Sequence, residues 1–324
     1  ITMQEKNNKK IAEKLDNQKF FIAALAVLVV LNLFTIFYFT QIKDGSKKQT
    51  EETEDKFQLL NPARKSVNQK DLIINIQPLR DELNKYEGQK DISIYFEYLP
   101  TGANISINKD AQFWPASLLK LPVAMAVAKK IEKGEWKWDN KLVLMAADKE
   151  ESFGTLFKEP TGSIFTIEDL VRRALVDSDN TANFILVRNL ETREIYDVYE
   201  HLGAGDFFSA GGEIGAKKYS ANFRALYNSS YLSEESSQKL LAYLSETRFD
   251  EYLKGGLPEG TVYAHKIGVA EDKNVYMDSG IIYAPNRPYI LTVMVSGRDK
   301  REAEDLMKKI SEQVFNYVSG YSEN

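Results

Sequence analysis

Residues 113–127 read Phe-Trp-Pro-Ala-Ser-Leu-Leu-Lys-Leu-Pro-Val-Ala-Met-Ala-Val. The apolar run after Ser117 indicates a buried helix that opens at this serine, with Pro122 early enough that its missing backbone donor costs little. Ser117 and Lys120 then lie on one face of the helix, about one turn apart. A lysine whose pKa is lowered by burial can take the serine proton, so the pair is a candidate nucleophile and base.

The spacing Ser-x-x-Lys is not specific by itself. It occurs again at Ser106-Ile-Asn-Lys109 and at Ser236-Ser-Gln-Lys239. The first copy lies on a predicted strand, where positions i and i+3 point to opposite faces. The second lies in a polar stretch typical of a solvated helix surface. The copy at Ser117 is favoured because it alone opens an apolar helix.

Strand patterns flank a long helical region on both sides. Alternation over 92–96 and 105–107 predicts a hairpin after a helix near 72–83, and strands follow at 262–267, 280–283 and 290–295 before a last helix over 300–318. We expect an α/β (α+β) fold, in which helices flank an antiparallel sheet and an all-helical lobe is inserted. The predicted domain covers 71–320, with a cleft between its lobes.

Two further motifs fall at the edges of this predicted cleft. Ser178-Asp-Asn180 lies on a short connection between two helices, where polar side chains are exposed. His265-Lys266-Ile-Gly268 lies on the first strand after the helices. Neighbouring strand residues face opposite ways, so if Lys266 faces the cleft, His265 points away from it. We therefore interpret His265 as structural, and His201 likewise.

The composition excludes several kinds of chemistry. The 324 residues are 43% hydrophobic and 27% charged, as in ordinary globular proteins, and the net charge of −5 argues against a nucleic-acid partner. There are no cysteines and two histidines, which removes thiol catalysis, disulfides and metal sites built on cysteine or histidine clusters. We expect neither a cofactor nor a metal.

The N-terminal part predicts a membrane anchor. Residues 20–42 are uncharged and mostly apolar, and about 20 such residues cross a bilayer as a helix. Lysines concentrated in 1–19 predict a cytoplasmic tail, with the rest of the chain outside the cytoplasm. Residues 43–70 are polar and predict a solvated linker. We expect a single-pass protein of the cell membrane with an extracytoplasmic domain.

The order Ser-x-x-Lys, Ser-Asp-Asn, Lys-x-Gly resembles that of the penicillin-recognising serine enzymes, most closely the class A β-lactamase branch. The resemblance runs from about Asp71 to Val318. It implies a serine hydrolase whose substrate is a β-lactam or a cell-wall peptide. The implied roles are nucleophile for Ser117, general base for Lys120, proton relay for Ser178, substrate binding for Asn180, and electrostatic support for Lys266. Backbone N–H groups of Ser117 and Val269, beside Gly268, form the implied oxyanion hole.

Two departures from the family pattern affect substrate binding and turnover. Ile267 replaces the Thr or Ser whose hydroxyl binds the substrate carboxylate, a hydrogen bond worth about 1.5–3 kcal/mol. The family's Glu-Asn loop, which activates the deacylating water, is not evident in 203–220. Only Asp206 and Glu213 are acidic there, and Glu213 is the candidate substitute. We expect ready acylation and slow deacylation, with a binding or sensor module as the alternative function.

Overall fold

The computed structural model describes Asn32 and residues 57–61, 69–203 and 212–322. The chain divides into two units, Ile1–Gln58 and Leu59–Asn324, and almost all of the described structure belongs to the second. The predicted tail, the anchor at 20–42 (apart from Asn32) and most of the predicted linker lie outside the described residues. In the described part, no helix is both long and apolar enough for a membrane span.

Helices and strands follow one another in the order anticipated at the two ends of the domain. The described elements are α1 Gln77–Leu83, β1 Ile92–Tyr98, β2 Ala103–Ile107, α2 Lys120–Glu132, β3 Lys141–Val143, β4 Ile164–Thr166, α3 Ile167–Val176, α4 Asn180–Asn189, α5 Thr192–His201, α6 Ala216–Tyr227, α7 Glu234–Ser245, β5 Tyr263–Ala270, β6 Val275–Ile282, β7 Tyr289–Ser296 and α8 Lys300–Gly320.

The two ends of the domain form one antiparallel sheet with strand order β2-β1-β7-β6-β5. Strand β1, which precedes the helical region, pairs with β7, which follows it, and Phe96 lies opposite Leu291 in this pair. Helix α8 begins with a capping box between Asp299 and Glu302, and its apolar stripe packs into the core on one face of the sheet. The predicted antiparallel sheet flanked by helices is confirmed.

Helix α6 covers the opposite face of the sheet. Its Ser220 Oγ lies 2.7 Å from Thr292 Oγ1 of β7, and Arg224 Nε donates to Glu97 Oε1 of β1 at 2.7 Å. Leu291 and Val293, the neighbours of Thr292, lie in the core under α8. The sheet therefore separates the α8 layer from the helices that carry the central part of the chain.

The inserted lobe is not entirely helical, which corrects the prediction. Strands β3 and β4 pair antiparallel in a two-stranded sheet, with Lys141 opposite Thr166. Each has only three residues, too few for an alternating pattern. Helix α1 also begins later than predicted, at Gln77, because Pro78 fits only the first turn of a helix.

The packed unit extends further toward the N-terminus than the predicted boundary at 71. Asn61 N–H donates to the Tyr227 carbonyl at 2.7 Å, and Tyr283 Oη donates to the Leu59 carbonyl at 2.8 Å. Leu60 is buried between these contacts. Residues 59–61 are thus part of the domain rather than of a solvated linker.

Candidate active site

Ser117 lies on a tight turn that leads directly into α2. The turn Ala116–Leu119 is a 3-10 helix, so Ser117 precedes the α-helix rather than opening it. Ala116 has φ of +44°, a left-handed conformation that non-glycine residues rarely adopt. Tyr219 Oη donates to the Leu118 carbonyl at 3.0 Å from the buried side of the turn. Such strain, held by surrounding contacts, is common where a side chain must be presented to a site.

Lys120 is enclosed by oxygen atoms at the first turn of α2. Its side chain is 4% exposed, and its Nζ lies 2.9 Å from Ser117 Oγ and 3.1 Å from Ser178 Oγ. Nζ also donates to the Ser178 carbonyl and to Asn180 Oδ1. These last two oxygens can only accept, so they use two N–H groups of a neutral amine. The remaining lone pair then faces the hydroxyls, and Ser117 Oγ–H can donate to it.

Burial lowers the pKa of Lys120 to about 7. The negative charges of Asp179 and Glu150 act in the opposite direction and offset part of the loss of hydration. A substantial fraction of Lys120 is therefore neutral near pH 7. This is the protonation state that a general base requires.

Ser178 links the two buried lysines. Its Oγ accepts from Lys266 Nζ at 2.8 Å on one side and lies 3.1 Å from Lys120 Nζ on the other. Ser178 is fully buried, and its backbone has a left-handed φ of +54°. The next residue, Asp179, donates its N–H to the Arg173 carbonyl at the end of α3. The hydroxyl can accept from one amine while it donates to the other, so a proton can pass through it.

Lys266 is buried on β5, and its own pKa is lowered well below the ordinary value. Burial is the main cause and the charge of Lys120 the second, because two ammonium groups so close together cannot both stay charged. The sequence analysis expected burial to lower the pKa of Lys120, with electrostatic support from Lys266. Burial is the main cause in the structure, and the charges that act on Lys120 beside it are those of Asp179 and Glu150.

Strand β5 packs directly against the Ser117 turn. A Cβ added at Gly268 would lie 2.9 Å from the Pro115 carbonyl oxygen and 2.8 Å from Leu118 Cγ, so only glycine allows this approach. Val269, the next residue, is half-buried. The backbone of β5 thus reaches the turn that carries Ser117, as the predicted oxyanion hole requires, and the role of the two N–H groups stays a prediction.

The alternate residues of β5 point to the other side of the sheet. Ile267 is 2% exposed and belongs to the core under α8. His265 is fully buried, stacks on Tyr263 and places Nδ1 2.8 Å from Asp278 Oδ1. His265 therefore lies on the face opposite Lys266, as the strand alternation predicts. His201 is exposed at the end of α5, with its ring beside Tyr231.

The other two Ser-x-x-Lys copies have different environments. Ser106 lies on β2, as expected. Ser236 is largely buried on α7, and Lys239 Nζ donates to Glu168 of α3, so the predicted solvated surface is wrong for this serine. No such pairing of hydroxyl and buried amine is found at these two copies.

Glu213, the candidate deacylation acid, is exposed next to the bridge between Phe113 and Ile214. The acids that act on the charge of Lys120 are Asp179 and Glu150 instead. Asp206 lies outside the described residues. The role of Glu213 stays a prediction.

The structure adds one charged residue that the sequence interpretation missed. Asn180 Nδ2 donates to Glu150 Oε2 and, at 2.9 Å, to Ser152 Oγ. Glu150 lies on an irregular connection between β3 and β4, about 30 residues before Asn180, with no periodicity or motif to mark it. Within the described residues, no group of three or more histidine or acidic side chains could hold a metal ion.

Comparison with known proteins agrees with this geometry. Residues 76–318 match the model of a family described as the beta-lactamase enzyme family. The chain is 25% identical over 244 residues to beta-lactamase VEB-1 of Pseudomonas aeruginosa, covering 67% of this chain and 80% of that protein. It is 24% identical over 254 residues to a beta-lactamase of Bacillus licheniformis, covering 72% and 81%.

Solved structures share the fold. A beta-lactamase from Sphaerobacter thermophilus superposes with a TM-score of 0.69 at 24% identity, covering 77% of this chain and all of that one. PBP-A superposes with a TM-score of 0.68 at 22% identity, covering 77% and 97%. A mutant of PBP-A, similar at a TM-score of 0.68 and 21% identity over 76% and 98%, is an acyl-enzyme complex with penicillin G.

Proposed function

The chain belongs to the beta-lactamase enzyme family and is a serine hydrolase, and from this we propose that Ser117 is acylated by β-lactams or by peptidoglycan-type amides of the D-Ala-D-Ala kind. The proposal rests on the 2.9 Å contact between Ser117 Oγ and the buried Lys120 Nζ. The Ser178 carbonyl and Asn180 Oδ1 accept from the N–H groups of Lys120, so its lone pair is left for the Ser117 hydroxyl.

In the proposed acylation, Ser117 Oγ attacks the substrate carbonyl carbon while Lys120 Nζ takes the hydroxyl proton. The proton then passes from Lys120 to Ser178 Oγ, and Ser178 delivers its own proton to the departing nitrogen. The oxygen that becomes negative accepts from the backbone N–H groups of Ser117 and Val269. Removing one donor of this kind from related sites costs about 10²–10³ in rate.

Deacylation is proposed to be the slow step. It needs a base that activates water, and the Glu-Asn loop that supplies this base in the family is not evident in residues 203–220. The carboxylate of Glu150 accepts hydrogen bonds from Asn180 and Ser152. Ile267 also offers no hydroxyl to a substrate carboxylate, and its side chain lies in the core. We infer moderate affinity for penicillins and a long-lived acyl-enzyme.

We also propose that the domain lies outside the cytoplasm, a location that suits the same substrates. The uncharged stretch 20–42, preceded by lysines, favours a single membrane anchor with the domain on the outer side. Cell-wall peptides and β-lactams are both met there. If the full chain partitions with membranes after expression and protease added outside the cell removes the domain, this part of the proposal stands.

One experiment separates the enzyme from the alternative, a cell-wall or β-lactam sensor with little turnover. The purified chain is incubated with penicillin G, and the mass of the protein is followed with time beside a Ser117→Ala variant. An adduct that appears and decays indicates hydrolysis, whereas a persistent adduct indicates a sensor or a slow hydrolase. Absence of an adduct on the wild type would refute acylation by penicillins.

A further inference from the structure

Glu150 lies at the rim of the proposed site, in contact with the side chain that the resemblance assigns to substrate binding. Asn180 has one amide group with two N–H donors, and Glu150 Oε2 and Ser152 Oγ accept from it. The Asn180 Oδ1 accepts from Lys120. Asn180 therefore has no free amide hydrogen until one of these acceptors is displaced.

The backbone around Glu150 is held firmly against the start of α4. Glu150 N–H donates to Thr181 Oγ1 at 2.9 Å, and Thr181 Oγ1 donates back to the Glu150 carbonyl at 3.2 Å. Further along the same connection, Thr155 and Leu156 N–H groups donate to the buried carboxylate of Asp179 at 2.7 and 2.9 Å. The backbone that carries the Glu150 side chain is therefore held against the start of α4.

Glu150 carries a negative charge that its direct partners do not neutralise. Asp148, two residues earlier, is paired with Arg188 at 2.7 Å. Among the described residues Glu150 has no such ion pair, and its hydrogen-bond donors are the neutral groups of Ser152 and Asn180. Partial burial raises its pKa, but hydrogen bonds from Ser152 and Asn180 outweigh it and leave the pKa below the ordinary value. The side chain is partly exposed and accessible to a ligand.

We propose that Glu150 selects substrates that carry a positively charged group on the carbon beside their side-chain amide carbonyl. That carbonyl is the group that Asn180 would bind, according to the resemblance, and it is distinct from the carbonyl that Ser117 attacks. This inference rests on the proposed function. An ammonium group there would take the carboxylate of Glu150 as its partner and release one N–H of Asn180 for the substrate carbonyl oxygen. A neutral acyl group leaves that N–H engaged with Glu150. A free amino group on the acyl side is therefore the recognised feature, as in ampicillin or in a peptide with an unblocked amine.

Ampicillin and penicillin G provide a matched pair of probes, because they differ by the ammonium on the carbon beside the side-chain carbonyl. Acylation rate constants are measured by mass for both compounds at about pH 6, where an amine of this kind is charged. The wild type is compared with Glu150→Gln, which keeps the hydrogen bonds but loses the charge. We expect the ratio of ampicillin to penicillin G rates to fall about fivefold in Glu150→Gln, as for a partly exposed ion pair.

Glu151→Gln is the control, because Glu151 is an exposed neighbour of the same charge. Its rate ratio should equal that of the wild type. An unchanged ratio in Glu150→Gln overturns the inference while leaving the proposed function intact. Absence of any Ser117 adduct with both penicillins overturns the proposed function itself, and the inference with it.

A second measurement on the wild type covers the case in which Glu150→Gln fails to fold. Salt screens an interaction between partly exposed charges. Raising the ionic strength should therefore slow acylation by ampicillin more than acylation by penicillin G. Equal responses of the two compounds to salt would contradict selection by charge.

Discussion

At the scale of single residues, the chemistry depends on the protonation state of Lys120. Its amine is surrounded by the Ser178 carbonyl, Asn180 Oδ1 and two hydroxyls, and burial lowers its pKa to about 7. Below that pH the amine is an ammonium ion with no lone pair, and above it the amine can accept the proton of Ser117. The same burial that removes the charge thus creates the base.

The first prediction concerns the pH dependence of acylation. The acylation rate constant should rise with pH through a midpoint near 7 and then level off, because the neutral form of Lys120 is the reactive one. Rates are measured with penicillin G by following the adduct mass between pH 5 and 9. Lys120→Arg, which stays charged, should lose about 10²–10⁴ of the rate on the plateau above pH 7, and its profile should lack the midpoint. A flat profile in the wild type would exclude Lys120 as the base.

A negative charge placed beside Lys120 should shift the midpoint of this pH profile, which is the second prediction. Asn180→Asp keeps an oxygen acceptor beside Lys120 but loses the N–H donors to Glu150 and Ser152. It adds a negative charge, which favours the ammonium form of Lys120. The midpoint of the acylation profile should shift to higher pH by about one to three units. Asn189→Asp, at the other end of α4, is the control and should leave the midpoint unchanged. A shift in both variants would indicate a general charge effect rather than contact with Lys120.

At the scale of elements, the connection between β3 and β4 organises the site through Asp179. This carboxylate caps α4 by accepting from Ala182 N–H and also accepts from the Thr155 and Leu156 N–H groups. Gly154 has φ of +90°, and a Cβ there would lie 2.1 Å from Asp179 Oδ2. The connection and the start of α4 can therefore approach each other only if residue 154 is glycine.

The third prediction tests this approach with Gly154→Ala. The variant must move Asp179 or the connection. We expect the stability to fall by about 1–3 kcal/mol because of the strained φ, and further because of the clash. Acylation should also be slower, because Asn180 follows Asp179 in the chain and would move with it. Thermal unfolding and adduct mass measure the two effects. Gly162→Ala is matched, since its φ is +93° and no atom lies within 4 Å. It should lose stability but not rate; a loss of rate in both would contradict the proposed link.

The elements also explain how far the sequence predicts the site. Helix spacing predicted the pair Ser117 and Lys120, and strand alternation predicted that Lys266 and His265 face opposite ways. The roles of Ser178 and Lys266 were implied by the resemblance of their motifs to the family pattern. Glu150 was missed because it lies on an irregular connection, and its contact with Asn180 depends on how that connection folds back onto α4. Three-residue strands such as β3 carry no periodicity, which is why the lobe was predicted as all-helical.

At the scale of the whole molecule, the sheet is built from both ends of the domain, so the central helices and the motifs they carry are held between strands distant in sequence. Chain segments before α1 take part as well. Residues 59–61 bond to Tyr227 at the end of α6 and to Tyr283 after β6, and Leu60 is buried. This short segment contributes to stability although it lies far from Ser117 along the chain.

The last prediction compares a chain that starts at residue 57 with one that starts at residue 69. Both contain the whole site, so the acylation rates with penicillin G should agree. The shorter chain loses the buried side chain of Leu60, which is worth about 1.5–3 kcal/mol, and the bonds of Leu59 and Asn61. Its Tm should be lower by roughly 2–4 °C for each kcal/mol lost.

Leu60→Ala in the longer chain should reproduce part of that loss. Equal Tm values for the two chains would show that 59–61 do not stabilise the domain, and unequal acylation rates would show that the segment also supports the site.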